Sequence, residues 1–278
     1  MTTRGDAFRR LHSQGIFTMP NPWDVGSARF LESLGFSALA TTSSGHAATL
    51  GRVDQHVTRD ELLIHAEALS AAVSVPLNVD AEYCFADNVA GVAETVLLIG
   101  ATGAAGCSIE DFNPTSLAID PIDLATERVA VAANAARQAG LVLTARAENH
   151  LHGVNDLDNT IARLCAYRDA GAEVVYAPGL FDLSEIGRVV TELGIPLNVL
   201  LRADGPTVSA LGSVGVRRVS TGGSLSRASF GALKAAALEL LQFGTSTFAR
   251  DAIPTSELEV VFGQRRADRP EAVPDGPP

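Results

Sequence analysis

Residues 77–111 read LNVDAEYCFADNVAGVAETVLLIGATGAAGCSIED. The stretch opens with an apolar run at 77–79 and closes with another at 105–109. Each run stops at acids: Asp80 and Glu82 after the first, Glu110 and Asp111 after the second. Runs this continuously apolar suit strands buried on both faces of a parallel sheet. The same beat continues outward at 16–19, 38–41, 142–145, 174–176, 197–200 and 217–219. Helix signals fill the intervals. Residues 24–34 carry apolar side chains at helical spacing, and Thr58 with Glu61 forms a capping box. Residues 121–138 open with proline and close before Gly140; 156–169 and 182–193 end at Gly171 and Gly194. Eight strands, each followed by a helix, predict an α/β fold: a (β/α)8 barrel of the TIM type. The rival is a doubly wound open sheet. That fold carries a glycine-rich nucleotide loop after its first strand, whereas here Met19-Pro20-Asn21-Pro22-Trp23 follows. One barrel domain is expected over residues 1–264, including a C-terminal helix around 230–241. The proline-rich residues 265–278 are expected to be a disordered tail.

Composition narrows the chemistry. Of 278 residues, 46% are hydrophobic and 19% charged, ample for a large core. The net charge of −11 argues against a nucleic-acid backbone as partner. Lys234 is the only lysine, so Schiff-base catalysis has one candidate amine. Three widely spaced cysteines, Cys84, Cys107 and Cys165, suggest neither a disulfide framework nor a zinc cluster. The longest apolar stretch, 95–109, is broken by Gly100, Gly103 and Gly106 and is too short to span a bilayer. The N-terminus is polar and lacks the apolar segment of a secretory signal. A cytoplasmic protein without membrane or nucleic-acid partners is expected.

In a barrel the chemistry gathers at the C-terminal ends of the strands. Asp80 and Glu82, two apart, share a face; Glu110 comes from the neighbouring strand, and Arg146 ends the next. Like charges this close repel unless a cation joins them. Oxygen-only donors favour Mg²⁺, or Mn²⁺, over zinc. The plain alternative is solvated loop charges. Arg146 suits a bidentate grip on a carboxylate, or a structural ion pair with Glu148 or Glu110. Ser43-Ser44-Gly45 reads as a turn whose hydroxyls and amides cradle a carboxylate, or as an ordinary Ser/Gly turn. Ser220-Thr221-Gly222-Gly223 stands where many barrels hold phosphate, or is a simple strand-end turn. Trp23 walls the pocket or only packs near it. Cys84 is a proton donor or, better, a small buried filler.

Several of these pieces together resemble the isocitrate lyase / phosphoenolpyruvate mutase superfamily. They are Asn21-Pro22-Trp23-Asp24, Thr42-Ser43-Ser44-Gly45, Leu50-Gly51-Arg52-Val53-Asp54, Asp80-Ala81-Glu82, Ile109-Glu110-Asp111, Ala145-Arg146 and Pro196-Leu197-Asn198-Val199. The resemblance implies that Asp54, Asp80, Glu82 and Glu110 hold Mg²⁺, directly or through water. It implies that Ser43, Ser44, Gly45 and Arg146 grip a 2-oxo-acid, with Trp23 and Asn198 in the binding set. It also implies an exchanged C-terminal helix and a homodimer or homotetramer. The sequence departs from the pattern after the fourth strand. Residues 112–117 (FNPTSL) lack the Lys, Cys and His of the isocitrate lyases and the lysine of the mutases; Ser116 is the remaining candidate donor. The histidine that mutases place after the sixth strand is replaced by Ala177-Pro178-Gly179, and the usual Gly-Tyr-Gly reads Cys84-Phe85-Ala86. The expected activity is Mg²⁺-dependent C–C cleavage of a small 2-oxo- or 2-hydroxy acid through an enolate, with Arg146, Glu110 and Ser116 as catalytic groups. C–P rearrangement or hydrolysis of a phosphonopyruvate-like substrate is the first alternative. A 2-oxo-acid binder with little catalysis is the second.

Overall fold

A computed structural model describes residues 3–263; the expected tail, residues 265–278, lies outside them. Eight parallel strands form the barrel: β1 (Phe17–Met19), β2 (Leu39–Ala40), β3 (Leu77–Asp80), β4 (Gly106–Glu110), β7 (Val142–Arg146), β8 (Val174–Tyr176), β9 (Leu197–Leu200) and β10 (Arg218–Ser220). A small antiparallel hairpin, β5 (Phe112–Asn113) with β6 (Ala118–Ile119), holds the divergent residues 112–117. The helices are α1 (Arg4–Leu11), α2 (Val25–Ser33), α3 (Ser43–Thr49), α4 (Arg59–Ala72), α5 (Val89–Ala101), α6 (Ile122–Ala139), α7 (Leu157–Asp169), α8 (Leu183–Leu193), α9 (Val208–Ser213), α10 (Ser224–Phe243) and α11 (Thr255–Gly263). The strands run in the order β1-β10-β9-β8-β7-β4-β3-β2. The seam between β1 and β2 closes at the mouth, where the Ala40 N–H donates to the Pro20 carbonyl at 3.1 Å. Asn21 holds that seam: its Nδ2 donates to the Thr41 carbonyl (2.8 Å), and its Oδ1 accepts from the Thr221 and Gly222 amides (2.9 Å each). Those two amides are therefore committed to the seam, while residues 220–223 line the cavity and lead into α10.

The alternation along each strand explains why the runs read as continuously apolar. Outward residues such as Val79, Cys107, Leu143, Val175 and Val219 meet the helix layer in the main core. Inward residues at the barrel floor, Phe17, Met19, Val142 and Val174, pack on Phe8 of α1. Gly106 is required at that floor, because a Cβ there would meet the Val142 carbonyl at 2.7 Å and the Phe8 ring at 2.9 Å. Caps follow the sequence reading. Thr58 accepts from the Glu61 amide in a complete capping box, and Gly140 and Gly194 end α6 and α8 in the left-handed region. Cys84 is fully buried in the main core, as a filler, with its thiol pushed up to about 12 by burial. No helix among the described residues is long and apolar enough to cross a membrane.

Two buried histidines set an acid limit. His12 lies at the floor between Phe8 and Phe17, and His65 stacks on His46 at 3.8 Å. Burial, then Arg218 for His12 and His46 for His65, lowers each to about 3. Below pH 6.5 the unfolded chain binds protons that the folded chain refuses, so stability present above pH 6.5 is lost as pH falls toward 3. At pH 5 this costs at most about 2 kcal/mol per histidine. His65→Phe should therefore lose about 2 kcal/mol less than the parent between pH 7 and pH 5 in urea unfolding. Equal losses would contradict this reading.

Candidate active site

The strand ends bring Asp80 (β3), Glu110 (β4) and Arg146 (β7) side by side. The Arg146 guanidinium is shared by three carboxylates. Its Nη1 donates to Asp80 Oδ1 (2.7 Å), its Nε donates to Glu148 Oε1 (2.7 Å), and its Nη2 lies 3.2 Å from Glu110 Oε2. The ring of Tyr176 lies 5.3 Å away. Burial alone would lower the Arg146 pKa, yet Glu148, Asp80 and Glu110 hold it well above its usual value. Burial also pushes Glu110 well above the carboxylate range, against the pull of Arg146. Both ion pairs named from sequence as the plain alternative are thus present, and Asp80 makes a third.

A cavity of about 830 Å³ opens over this cluster. Asp54, Asp80, Arg146, Ser43, Ser44 and Asn198 line it together. The Ser43 hydroxyl lies beside Asp54, whose pKa it lowers, and the Ser43 amide lies 3.4 Å from Asp80 Oδ2, so one residue stands between the two acids. Asp54 is reached by water yet walled by protein; this desolvation, ahead of Asp80, raises its pKa against the Ser43 hydroxyl. Residues 43–45 form the first turn of α3, with Thr42 as N-cap, rather than the free turn expected. Gly45 does not line the cavity. It is buried where a Cβ would meet Thr42 Cγ2 at 2.5 Å and Trp23 Cβ at 3.0 Å. Trp23 accordingly packs behind the turn and is not among the lining residues.

Glu82 and Ser116 also fall outside that cavity. Glu82 lines a second cavity of about 180 Å³ with Gln55 and Thr115. Burial, then Asp80 and Asp54, raises its pKa to about 8, and the Gln55 amide beside it donates to Asp54 Oδ1 at 3.2 Å. The Gln55 side chain bridges onward, donating to Glu110 Oε1 at 3.0 Å. Ser116 is exposed on the β5–β6 hairpin, where its amide donates to Asn113 Oδ1. Glu82, Cys84 and Phe85 all take left-handed backbone angles (φ 49°, 61° and 53°). The segment thus keeps a conformation that glycine adopts freely, at a cost of roughly 1–2 kcal/mol per residue.

Among the described residues, no group of three or more Asp, Glu, His or Cys side chains is placed to hold a metal ion. The donor chemistry still fits a hard cation. Asp54 and Asp80 present oxygens to one cavity, with Glu82 and Glu110 behind them, and burial, ahead of the neighbouring acids, raises the pKa of Asp54, Glu82 and Glu110. Magnesium keeps several waters and needs few direct protein ligands.

The sequence reading missed two features. Arg202, Arg218 and Arg227 line the same cavity, and no carboxylate pairs with any of them among the described residues. The lining therefore holds four guanidiniums against two carboxylates, in a chain of net charge −11. Gln55 was the other omission; its role depends on a tertiary contact that no spacing displays.

Residues 8–241 match the family model for phosphoenolpyruvate phosphomutase. The chain belongs to the phosphoenolpyruvate mutase/isocitrate lyase superfamily. A solved structure from Burkholderia cenocepacia J2315, provisionally described as a lyase/mutase, is 46% identical, covers 94% of this chain and 96% of that chain, and has a TM-score of 0.90. An uncharacterized protein of Mycobacterium tuberculosis is 36% identical over 78% of this chain and 81% of its own length. Oxaloacetate decarboxylase of Pseudomonas putida is 27% identical over 82% of this chain and 81% of its own length. The superfamily's barrel is the one built here, and of the residues that carried the resemblance Ser43, Ser44, Asp54, Asp80, Arg146 and Asn198 line one cavity at its mouth.

Removing a shared partner from a buried cluster is costly, because the remaining charges stay behind unpaired. Arg146→Met should lose about 3–5 kcal/mol in urea unfolding at pH 8. The carboxylates left behind would have folded-state pKa values raised above their unfolded ones, so the deficit should shrink as pH falls toward 5. A deficit below about 1 kcal/mol at both pH values would show that the cluster does not depend on this arginine.

Proposed function

We propose that the chain is a Mg²⁺-dependent lyase that cleaves a C–C bond of a small 2-oxo- or 2-hydroxy acid through an enolate. One observation carries this reading: a single cavity joins the Asp54–Ser43–Asp80 oxygen cluster to a surplus of guanidinium groups. The first half suits a cation and the second an anionic substrate. Mg²⁺, or Mn²⁺, held by Asp54 and Asp80, with Glu82 and Glu110 behind, would supply positive charge beside the oxygen that becomes negative as the bond breaks. The chain's own groups do the rest. Ser43 and Ser44 offer hydroxyls to the substrate carboxylate, and Arg202 and Arg227 add positive charge from the rim. Asn198 and Tyr176 wall the interior. Arg146 serves chiefly to hold Asp80 and Glu110 in place, since all three of its nitrogens already face carboxylates. Lysine chemistry has no support: Lys234 is exposed on α10.

The C–C reading is favoured by the named relative that acts on oxaloacetate. The family model keeps phosphonopyruvate-like substrates as the second reading, and the exposed position of Ser116 keeps simple 2-oxo-acid binding as the third. A homo-oligomer is part of the proposal. α10 leaves Phe230, Leu233, Leu241 and Phe243 exposed, an apolar surface suited to a second copy of the chain.

The test is turnover of oxaloacetate, 2-methylisocitrate and phosphonopyruvate, each with and without Mg²⁺. Metal-dependent release of a 2-oxo or carboxylate product from one of the first two is expected. Asp54→Asn, which leaves the Arg146 pairs intact, should raise the Mg²⁺ requirement by about 10–100-fold. Turnover of phosphonopyruvate alone would reverse the ranking, and an unchanged Mg²⁺ requirement would remove Asp54 from the site.

A further inference from the structure

The middle layer of a TIM barrel is ordinarily filled by branched apolar side chains. Here it is polar. Arg218 and Asn198 are register partners, Thr144 stands opposite, and Asn78 completes the layer; each is at most 4% exposed, yet all four line the cavity. Arg218 is the anomaly. Its Nε donates to Asn198 Oδ1 (2.9 Å) and its Nη2 to Thr144 Oγ1 (3.0 Å). Its Nη1 lies 3.3 Å from His12 Nε2. His12 Nδ1 lies 2.8 Å from the Phe8 carbonyl, which can only accept, so Nδ1 carries the proton and Nε2 accepts from Arg218. Every protein partner is thus neutral, and one N–H on each terminal nitrogen has no acceptor among the described residues. Buried charges are normally paired, since an isolated one is expensive to desolvate. Desolvation here is strong enough to bring the Arg218 pKa down to about 9, still above neutrality, so the charge persists. Asn78 adds a second irregularity: its buried Oδ1 has no partner.

We propose that Arg218, with Asn198 and Thr144, forms an anion subsite on the cavity floor that takes the second carboxylate of a dicarboxylic substrate. This rests on the reading of the mouth as a 2-oxo-acid site. Arg218 lines the same cavity as Asp80 and Arg146, from a strand interior and almost fully buried, whereas those two stand at their strands' C-terminal ends. A short dicarboxylate carries one anionic group for each of these two places in the cavity, whereas a monocarboxylate carries one in all. The free N–H on each terminal nitrogen suits a planar carboxylate, which guanidinium binds in bidentate fashion. The subsite selects for a second charge because a monocarboxylate would leave Arg218 buried and uncompensated.

The experiment is calorimetric titration of the full chain, with Mg²⁺ present, by succinate, butyrate and pyruvate. Succinate and butyrate differ chiefly in the second carboxylate. The parent chain should bind succinate at least about tenfold more tightly than butyrate. Arg218→Met should abolish that preference, weakening succinate by at least about tenfold without weakening butyrate. Asn198→Asp guards against a variant that fails to fold. It places a carboxylate beside Arg218 without changing side-chain shape, and should abolish the same preference while raising Tm. A succinate preference that survives in either folded variant overturns the subsite. Equal binding of succinate and butyrate by the parent, with pyruvate still bound, overturns the subsite alone. Binding of none of the three overturns both the subsite and the 2-oxo-acid reading.

Discussion

Three carboxylates share one guanidinium at the mouth of this barrel, and the rest of the site follows from that constraint. Asp80, Glu110 and Glu148 come from different strand ends, and among the described residues Arg146 is the cation that pairs with all three. The pairing keeps the acids in one place, and it consumes the arginine. Arg146 therefore reads as a framework residue for the acids more than as a free hand for substrate. Asp54 and Glu82 stand outside those pairs, and burial together with the neighbouring acids makes ionising them costly while no cation joins them. A hard dication is the chemically simple way to balance such a set.

Charge is distributed by depth. Acids concentrate around the Asp54–Asp80 edge, whereas Arg202 and Arg227 stand on the rim and Arg218 on the floor. A small anion drawn into the cavity meets positive groups above and below, and oxygen donors to one side. This arrangement separates the tasks of holding a substrate and of stabilising its developing charge. It also explains how a chain of net charge −11 presents an attractive site to an anion, since local charge decides association at a cleft.

The barrel was legible in the sequence because its physics is repetitive. Strands covered on both faces leave uninterrupted apolar runs, and helix ends leave caps such as Thr58 and Gly194. Asp80, Glu110 and Arg146 were legible because strand ends are chemically conspicuous. Asp54 was reached only through resemblance, since it lies on the connection between α3 and α4, where no periodicity places it. The first turn of α3 was misread as a free turn, because Ser-Ser-Gly is poor helix material and only the Thr42 cap and packing against Trp23 make it helical. Arg218 carried a signal that went unused: an arginine inside an otherwise apolar strand run is itself a sign of a polar interior. The commitment of Arg146 to three acids depends on side-chain directions across separate strands, which sequence spacing does not contain.

The most direct measurement of the central claim is a crystal structure of the chain soaked with Mg²⁺ and oxalate, a planar mimic of a 2-oxo-acid enolate. The account predicts a cation within the Asp54–Asp80 edge of the cavity, bound to their oxygens directly or through water, with oxalate completing its coordination. Oxalate bound to the arginines alone, with no cation density beside Asp54 and Asp80 at saturating Mg²⁺, would contradict it.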